Sequence, residues 1–358
     1  MKKVCVIGCF ADHLNLLNGQ TVKTKIVYKE MNETFGCNEV MKIDTYGGIK
    51  TLFKTPLIIL QALQNCENII ILPAENGLRV IVPLLVYFNK LFNRKLFYDV
   101  IGGWLPEFLR ERKWLSKFLK QFNCIFVETQ SMKEQLDKQE FNNIDVIPNC
   151  KELDILNIKE IKCVQERPYK LCTFSRVMKE KGIEDAIQAV CEVNTSHGND
   201  FAELEIYGQI EENQKEWFDQ LLISAPHYIR YKGIVPFDQS TKVLKKYDAL
   251  LFPTYYEGEG FAGTIIDAFA AGLPVIASDW KYNSEIITSG KTGQIIKTHN
   301  IQDLKKAIML IGNKKKHWNH IEYSANGRPL VTVEKSTQYA GQVHLTKKLN
   351  TVGSPQLI

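Results

Sequence analysis

Short apolar runs alternate with longer amphipathic stretches along the whole chain. In the first half these runs predict strands at 4–8, 69–72, 95–100, 124–127 and 145–147. In the second half they predict strands at 171–174, 203–207, 229–232, 249–252 and 274–277, and helices at 183–193 and 240–247. Because strands separated by helix-length segments form parallel sheets covered on both faces, the pattern predicts an α/β fold.

The chain is long enough for two domains, and its punctuation suggests where they divide. It has 358 residues, and Pro148-Asn149 is followed by a charged stretch without clear periodicity. We predict two doubly wound, Rossmann-like domains that face each other across a cleft, with ligands at the carboxyl ends of the strands. The predicted parts are an N-terminal domain (1–150), a linker (151–168), a second domain (169–333) and a C-terminal segment (334–358).

Composition is that of an ordinary globular protein. The net charge of +5 is mild, and no nucleic-acid-binding motif is present. Nine cysteines without a C-x-x-C pair argue against a disulfide framework or structural zinc and favour a reducing cytoplasm. The longest apolar run, 80–88, is too short to span a bilayer, so we expect a soluble or peripheral protein.

The most informative segment runs from Tyr255 to Ser278 and reads as an acidic glycine-rich loop, a short helix, a glycine stop and a strand. A loop-to-helix junction offers unpaired N–H groups to a phosphate, and the acids Glu259 and Asp267 can accept hydrogen bonds from sugar hydroxyls. A sugar nucleotide combines both groups. The alternative is structural: Thr264 and Asp267 also fit a helix capping box, and Glu259 could be a solvated loop acid.

The stretch from Glu259 to Asp267 resembles the E-x7-E signature of the family 4 group of retaining glycosyltransferases with the GT-B fold. The departure is Asp267, where that family usually has Glu, and its reach is shorter by about 1.5 Å. The resemblance implies an acceptor-side first domain, a nucleotide-sugar second domain and a C-terminal segment (334–358) that crosses back to the first domain. It implies that Glu259 holds the donor sugar and Asp267 the ribose. It also implies donor contacts from the residues between them: Gly260, Phe261, Ala262, Gly263 and Thr264.

A second motif joins a strand to a helix and carries two cations. Arg176 follows the strand end, and Lys181-Gly182 precede the next helix. Two cations on such a loop suit a diphosphate leaving group, although taken alone they could be solvated. The segment resembles the G-R-x-x-x-x-K-G motif of the same family, with Ser175 in place of the glycine. We therefore predict Glu259, Arg176 and Lys181 as the catalytic residues.

Three glycine-containing turns are weaker candidates for donor contact. Gly19 allows close backbone approach, and Thr21 could cap the following helix. The resemblance implies that the loop at Gly19-Gln20 approaches the donor phosphates or the reaction centre. The resemblance also implies contacts from Gly208 and from Ile234 after Gly233. None of these forms a G-x-G-x-x-G fingerprint, so a nicotinamide cofactor is not expected.

Two further segments point to the acceptor. Gly102, Gly103 and Trp104 follow a strand and would line the acceptor side, where Trp104 could stack on a sugar; the alternative is a tight turn with a packed Trp. Residues 108–122 form a basic amphipathic pattern that could contact an anionic membrane; the alternative is a helix with its apolar face in the core.

These features together predict an enzyme. We expect a retaining, metal-independent glycosyltransferase without a cofactor, which transfers a hexosyl unit to a saccharide or lipid-linked saccharide in polysaccharide or glycolipid synthesis. UDP is taken as the base on its frequency in the resembled family. The alternatives are a GT-B sugar-nucleotide epimerase and a catalytically silent sugar-nucleotide-binding homologue. The expected location is the cytoplasm, at the inner face of the membrane.

Overall fold

The computed structural model of this chain describes residues 1–12, 14, 19–47, 49–149, 167–198 and 201–313. These residues fall into two compact units, 1–149 and 167–313. Residues 151–166 of the predicted linker and the predicted C-terminal segment 334–358 lie outside the described residues.

The first unit is a six-stranded parallel sheet with strand order β2-β1-β3-β4-β5-β6. Its strands are β1 (Lys2–Gly8), β2 (Val40–Asp44), β3 (Cys66–Leu72), β4 (Lys95–Asp99), β5 (Cys124–Val127) and β6 (Ile144–Val146). Its helices are α1 (Gly19–Phe35), α2 (Ile49–Asn65), α3 (Glu75–Phe92), α4 (Leu105–Arg110), α5 (Lys113–Leu119) and α6 (Gln130–Asp137). The central strands are apolar and buried because helices cover both faces.

The second unit is another six-stranded parallel sheet, with order β12-β11-β10-β7-β8-β9. Its strands are β7 (Tyr169–Phe174), β8 (Ala202–Tyr207), β9 (Ile229–Gly233), β10 (Ala249–Phe252), β11 (Val275–Ser278) and β12 (Gly293–Ile296). Its helices are α7 (Ile183–His197), α8 (Lys215–Ile223), α9 (Ser240–Leu244), α10 (Gly263–Ala270), α11 (Asn283–Ile286) and α12 (Ile301–Asn313). The predicted α/β class with two parallel sheets is confirmed.

Each sheet reverses its strand order at one place. In the first unit the reversal lies between β1 and β3, and in the second between β7 and β10. At such a switch point the loops leaving the two strands turn to opposite faces and open a crevice at the carboxyl edge. The two motifs with the strongest chemistry in the sequence leave β7 and β10, so the fold brings them to one crevice.

Candidate active site

A buried ion pair links the two motifs in the second unit. The Lys181 Nζ atom lies 2.6 Å from Glu259 Oε2, and the two residues are 8% and 7% exposed. Lys181 ends a 3-10 helix after β7, and Glu259 lies in the loop after β10. Ionised side chains with so little exposure need a charged or hydrogen-bonded partner, and each supplies it to the other.

Hydrogen bonds from the loop after β10 keep the pair in place. The fully buried Thr254 hydroxyl donates to Glu259 Oε2 (2.9 Å) and accepts from the Tyr256 amide (3.2 Å). The Tyr255 amide donates to the carbonyl of Glu180 at 2.7 Å, which ties this loop to the one that carries Lys181. The Glu259 carboxylate is therefore held from both loops.

Gly182 allows the two loops to come this close. Its φ of +71° is in the left-handed region, and a Cβ at this position would lie 2.1 Å from the carbonyl oxygen of Pro253. Only glycine fits such a contact without moving backbone. Gly182 thus allows the short distance between the loop after β7 and the loop after β10.

Arg176 approaches the same aromatic ring as Lys181. The Tyr256 ring centroid is 4.6 Å from Lys181 Nζ and 5.4 Å from Arg176 Cζ, so both cations contact one aromatic ring. Arg176 Nη1 also pairs with Glu211 Oε2 at 3.1 Å, and the arginine is about two-fifths exposed. The guanidinium is accessible to an anion that replaces Glu211 as its partner.

Gly208 packs directly against the backbone that leads to Arg176. A Cβ on Gly208, whose φ is +138°, would lie 1.7 Å from the carbonyl oxygen of Ser175. The Gly208 amide donates to the carbonyl of Gly233, which precedes the exposed Ile234. The turns after β7, β8 and β9 therefore meet at one edge, and contact of Gly208 and Ile234 with a donor stays a prediction.

Helix α10 starts four residues after Glu259. Its N-cap is Ala262, and no side chain caps it, so its first amides have no partner within the helix. Gly260 is buried, Phe261 is half-buried, and Gly263 is the first helical residue. The positive end of the helix dipole is therefore next to the Lys181–Glu259 pair.

The capping-box interpretation of Thr264 and Asp267 is wrong. A capping box requires Thr at the N-cap and the acid three residues later, but Thr264 is the second residue of α10 and Asp267 the fifth. The buried Thr264 hydroxyl has no hydrogen-bond partner among the described residues. Asp267 is 2% exposed within the helix, and its contact with a ribose stays a prediction.

Several polar groups around the site carried no assignment in the sequence. Trp280 Nε1 donates to the Tyr256 carbonyl at 2.8 Å, and Lys281 Nζ pairs with Glu257 at 2.7 Å. The signal that could have found Thr254 and Trp280 is their position, since both follow a strand at the carboxyl edge of the sheet. Glu257 is the exposed, ion-paired acid of the loop, while Glu259 is the buried one.

The first unit has a pocket of its own at its switch point, with a volume of about 390 Å³. It is lined by residues that follow β1, β2 and β3 and by the starts of α1 and α3: Cys9, Gln20, Thr45, Tyr46, Gly47, Pro73, Ala74, Gly77 and Ile81. Gln20 is thus placed at a pocket, and the exposed Gly19 is the first residue of α1. The capping role for Thr21 is wrong, because Thr21 lies inside α1 and is fully buried.

The turn from Gly102 to Trp104, which was predicted for the acceptor side, is packed. Trp104 Nε1 donates to the Ile101 carbonyl at 2.9 Å, and the indole meets the ring of Phe108 edge to face at 5.1 Å. Gly102 adopts a φ of +85°, and Gly103 is buried. These contacts are those of the tight-turn alternative, and stacking of Trp104 on a sugar stays a prediction.

The single amphipathic helix predicted over 108–122 is wrong. The segment is divided between α4 and α5, with Glu111 and Arg112 between them. Its apolar side chains pack in the core: Phe108, Leu109, Leu115, Leu119 and Phe122 are all buried. Phe118 is half-buried, and Trp114 is 46% exposed.

A buried charge cluster at the end of β4, just before the turn at Gly102, was not predicted. Lys23 Nζ lies 3.0 Å from Asp99 Oδ1 and 3.1 Å from Glu128 Oε1, and it donates to the Val100 carbonyl at 2.9 Å. Burial raises the pKa of Asp99 although Lys23 opposes the shift. Lys23 therefore fixes the point at which the turn leaves β4.

No group of three or more His, Cys, Asp or Glu side chains in the described ranges is placed to hold a metal ion. Within the same ranges, none of the helices combines the length and apolar character that crossing a bilayer demands.

Comparison with known proteins places this geometry in a family. The family model of glycosyl transferases group 1 matches residues 154–328, a range that contains Arg176, Lys181, Glu259 and Asp267. The second unit belongs to the glycosyl transferases group 1. The group 1 region thus coincides with the unit in which the Lys181–Glu259 pair lies.

A curated relative of this chain is the UDP-N-acetylglucosamine–peptide N-acetylglucosaminyltransferase GtfA subunit of Streptococcus gordonii. The two are 28% identical over 259 residues, which cover 68% of this chain and 49% of the relative. The chain spans about half the length, or less, of the first curated relatives it matches.

Solved structures show the fold. The structure of Anabaena HepE in complex with UDP aligns over 98% of this chain and 100% of its own, with a TM-score of 0.71 and 14% identity. The pneumococcal O-GlcNAc transferase GtfA in complex with UDP and GlcNAc aligns over 83% of this chain and 59% of its own, with a TM-score of 0.64 and 18% identity. The chain therefore has the GT-B fold.

Proposed function

We propose that this chain is a retaining glycosyltransferase that transfers a hexosyl unit from a UDP-sugar to a saccharide or lipid-linked saccharide without a metal ion. One observation carries the proposal. The buried Lys181–Glu259 pair lies beside the N-terminus of α10, and Arg176 contacts the same tyrosine ring as Lys181. Cations, an acid and free amides in one crevice match a diphosphate attached to a sugar.

The cations act on the leaving group. As the glycosidic bond breaks, negative charge accumulates on the diphosphate, and Arg176, Lys181 and the first amides of α10 stabilise it. Lys181 exchanges its partner, from the Glu259 carboxylate to a phosphate oxygen. The departing phosphate oxygen takes the proton of the acceptor hydroxyl.

The carboxylates orient the donor. Once Lys181 pairs with phosphate, Glu259 accepts hydrogen bonds from the hydroxyls of the donor sugar, and Asp267 accepts from the ribose. Gly208 and Ile234 bring backbone close to the nucleotide from the neighbouring turns. Fixing the sugar relative to the leaving group contributes to the rate by orientation.

The choice of UDP is supported by the names of similar proteins. The S. gordonii relative is named for UDP-N-acetylglucosamine, and both aligned structures were solved with UDP. The peptide acceptor in the name of that relative makes peptides a second acceptor class to test. The proposed setting is polysaccharide or glycolipid synthesis at the cytoplasmic face of the membrane.

The first test compares charge-matched variants two residues apart. Lys181→Met and Glu259→Gln are expected to lower kcat on the order of 10²–10³-fold, because each removes a group that acts on the transition state. Lys179→Met and Glu257→Gln change the same charges at exposed positions and should keep wild-type turnover. Release of UDP is measured over a panel of UDP-sugars and of saccharide, lipid-linked and peptide acceptors.

Folding is controlled by the double variant Lys181→Met/Glu259→Gln, which leaves no unpaired charge in the buried site. It should unfold close to the wild-type temperature and remain inactive. Wild-type turnover in either single variant would overturn the site. An altered sugar formed from donor alone would favour the epimerase, and donor binding without transfer to any acceptor would favour the silent homologue.

A further inference from the structure

Helix α3 of the first unit is apolar on two opposite faces. One face packs into the core with Leu78, Ile81, Val82, Leu85 and Val86. The other carries Val80, Leu84, Tyr87 and Leu91, which repeat at spacings of four, three and four residues. Val80 and Leu84 are half-buried, whereas Tyr87 is 66% and Leu91 80% exposed. A helix that is apolar all round is expected to have a partner on both sides.

The neighbouring helices extend this outer face. Helix α3 packs against α2 and α5, and each neighbour turns a buried stripe inward. Leu57 of α2 is 71% exposed, and Trp114 of α5 is 46% exposed. Nine large hydrophobic side chains are exposed among the described residues, and four of them belong to these three helices. We call the outer face of these helices the α2–α3–α5 surface.

The helices that form this surface, with the residues between them, have an excess of positive charge. The stretches 49–65, 75–94 and 105–120 contain ten Lys or Arg and three Glu, whereas the whole chain has a net charge of +5. The exposed cations Lys54, Lys90, Lys113 and Lys117 flank the exposed apolar side chains along the chain. The three acids, Glu75, Glu107 and Glu111, are far fewer than the cations.

Exposed aliphatic and aromatic groups flanked by exposed lysines match one kind of partner. An apolar protein surface would satisfy Leu57, Tyr87 and Leu91 but would leave the cations without counter-charges. An anionic bilayer offers acyl chains to the apolar groups, phosphates to the lysines and a polar interface suited to the Trp114 indole.

We propose that the α2–α3–α5 surface docks this protein on the surface of an anionic lipid bilayer. Docking does not insert a helix across the membrane, and it requires no change within the first unit. The surface differs from the amphipathic segment that the sequence suggested, because most apolar residues of 108–122 are in the core. The proposal rests on the first unit alone and stands independently of the chemistry in the second.

The test measures partition of the full chain onto vesicles, without donor or acceptor. Vesicles of phosphatidylcholine are compared with vesicles that also contain phosphatidylglycerol. We expect the wild type to sediment with the anionic vesicles and to be released as salt is raised, because screening weakens the lysine contacts. Lys113→Gln/Lys117→Gln should lower the partition about twenty-five-fold, since each surface lysine contributes about fivefold.

Tyr87→Ser/Leu91→Ser should lower the same partition by about tenfold or more, because two exposed apolar contacts are lost. The matched controls lie in the second unit: Ile223→Ser, which is 86% exposed in the wild type, and Lys215→Gln, also exposed. Both should bind as the wild type does. Circular dichroism and thermal unfolding establish that all variants fold, as expected for surface changes.

Three results would overturn the proposal. The first is a wild type that ignores anionic vesicles, and the second is equal binding by wild type and both double variants. The third is a lipid-free dimer that Tyr87→Ser/Leu91→Ser abolishes, which would assign the α2–α3–α5 surface to a second copy of this chain. A loss of binding confined to the two double variants would support it.

Discussion

Charged side chains in the interior decide the most about this protein at the residue scale. The sequence predicts Lys181 for a phosphate and Glu259 for a sugar, but it does not predict that they bind each other. They are 78 residues apart, and only the placement of β7 beside β10 brings them to 2.6 Å. The Lys23 cluster was missed for the same reason, since its members come from α1, β4 and the end of β5.

The Lys23 cluster gives a prediction with opposite outcomes for two substitutions. Lys23→Met should destabilise the fold by about 3–5 kcal/mol, because it leaves two buried carboxylates without a cation. Asp99→Asn should be tolerated at neutral pH, because Lys23 keeps Glu128 as its partner. Urea unfolding of the two variants and the wild type measures the difference, and equal losses in both would contradict this account.

The difference in stability between the wild type and Asp99→Asn should depend on pH. The pKa of Asp99 is raised in the folded state above its ordinary value of 3.8, chiefly by burial. The folded state therefore binds more protons than the unfolded state just above pH 3.8, and this contribution to stability falls as the pH rises through the folded pKa. Asp99→Asn lacks this term. The free energy of unfolding of Asp99→Asn, relative to that of the wild type, should rise as the pH is raised above 3.8. A difference that does not change with pH would contradict a raised pKa of Asp99.

At the scale of elements, glycines determine how closely loops approach. The sequence marks Gly182 as part of a motif, and the structure shows why no other residue fits. The predicted strands agree with the observed ones to within a few residues, apart from two strands that were missed, β2 and β12. Both are edge strands with polar residues such as Lys42 and Gln294. An edge strand is only partly buried, so its sequence lacks the continuous apolar run of a central strand.

Gly182→Ala tests the contact between the β7 and β10 loops. The added methyl group would meet the Pro253 carbonyl, so backbone must move in addition to the strain of a positive φ. We expect a larger loss of stability than for Gly290→Ala, which has a φ of +82° but open space around its Cβ position. The control should lose about 1–2 kcal/mol in urea unfolding. UDP affinity should fall only in Gly182→Ala, and equal effects in both would argue against the contact.

At the scale of the whole molecule, the two units carry different chemistry. The second contains the group 1 region and the Lys181–Glu259 pair, and the first contains the switch-point pocket, the Lys23 cluster and the α2–α3–α5 surface. The first amides of α10, proposed to bind the diphosphate, and the α2–α3–α5 surface, proposed to meet a bilayer, therefore belong to different units.

Hydrogen exchange on the intact chain can separate these roles. UDP at 100 times its Kd should stabilise the folded state by about 2.7 kcal/mol and slow exchange at 174–182 and 254–265. Anionic vesicles should instead slow exchange in α2, α3 and α5. Protection of the α2–α3–α5 surface by UDP alone, or no protection of the 254–265 loop, would contradict the division.

The sequence by itself determined the α/β class, most of the strands and the two motifs of the candidate site, because these depend on local spacing of apolar, glycine and charged residues. Tertiary structure decided what those residues do to one another. Strand order paired Lys181 with Glu259. The start of α10 made Ala262, and not Thr264, its N-cap. Helix packing buried most of the apolar side chains of 108–122 and left Tyr87 and Leu91 exposed. Spacing along a chain fixes which face a residue shares with its neighbours, and only packing fixes whether that face meets the core, a ligand or solvent.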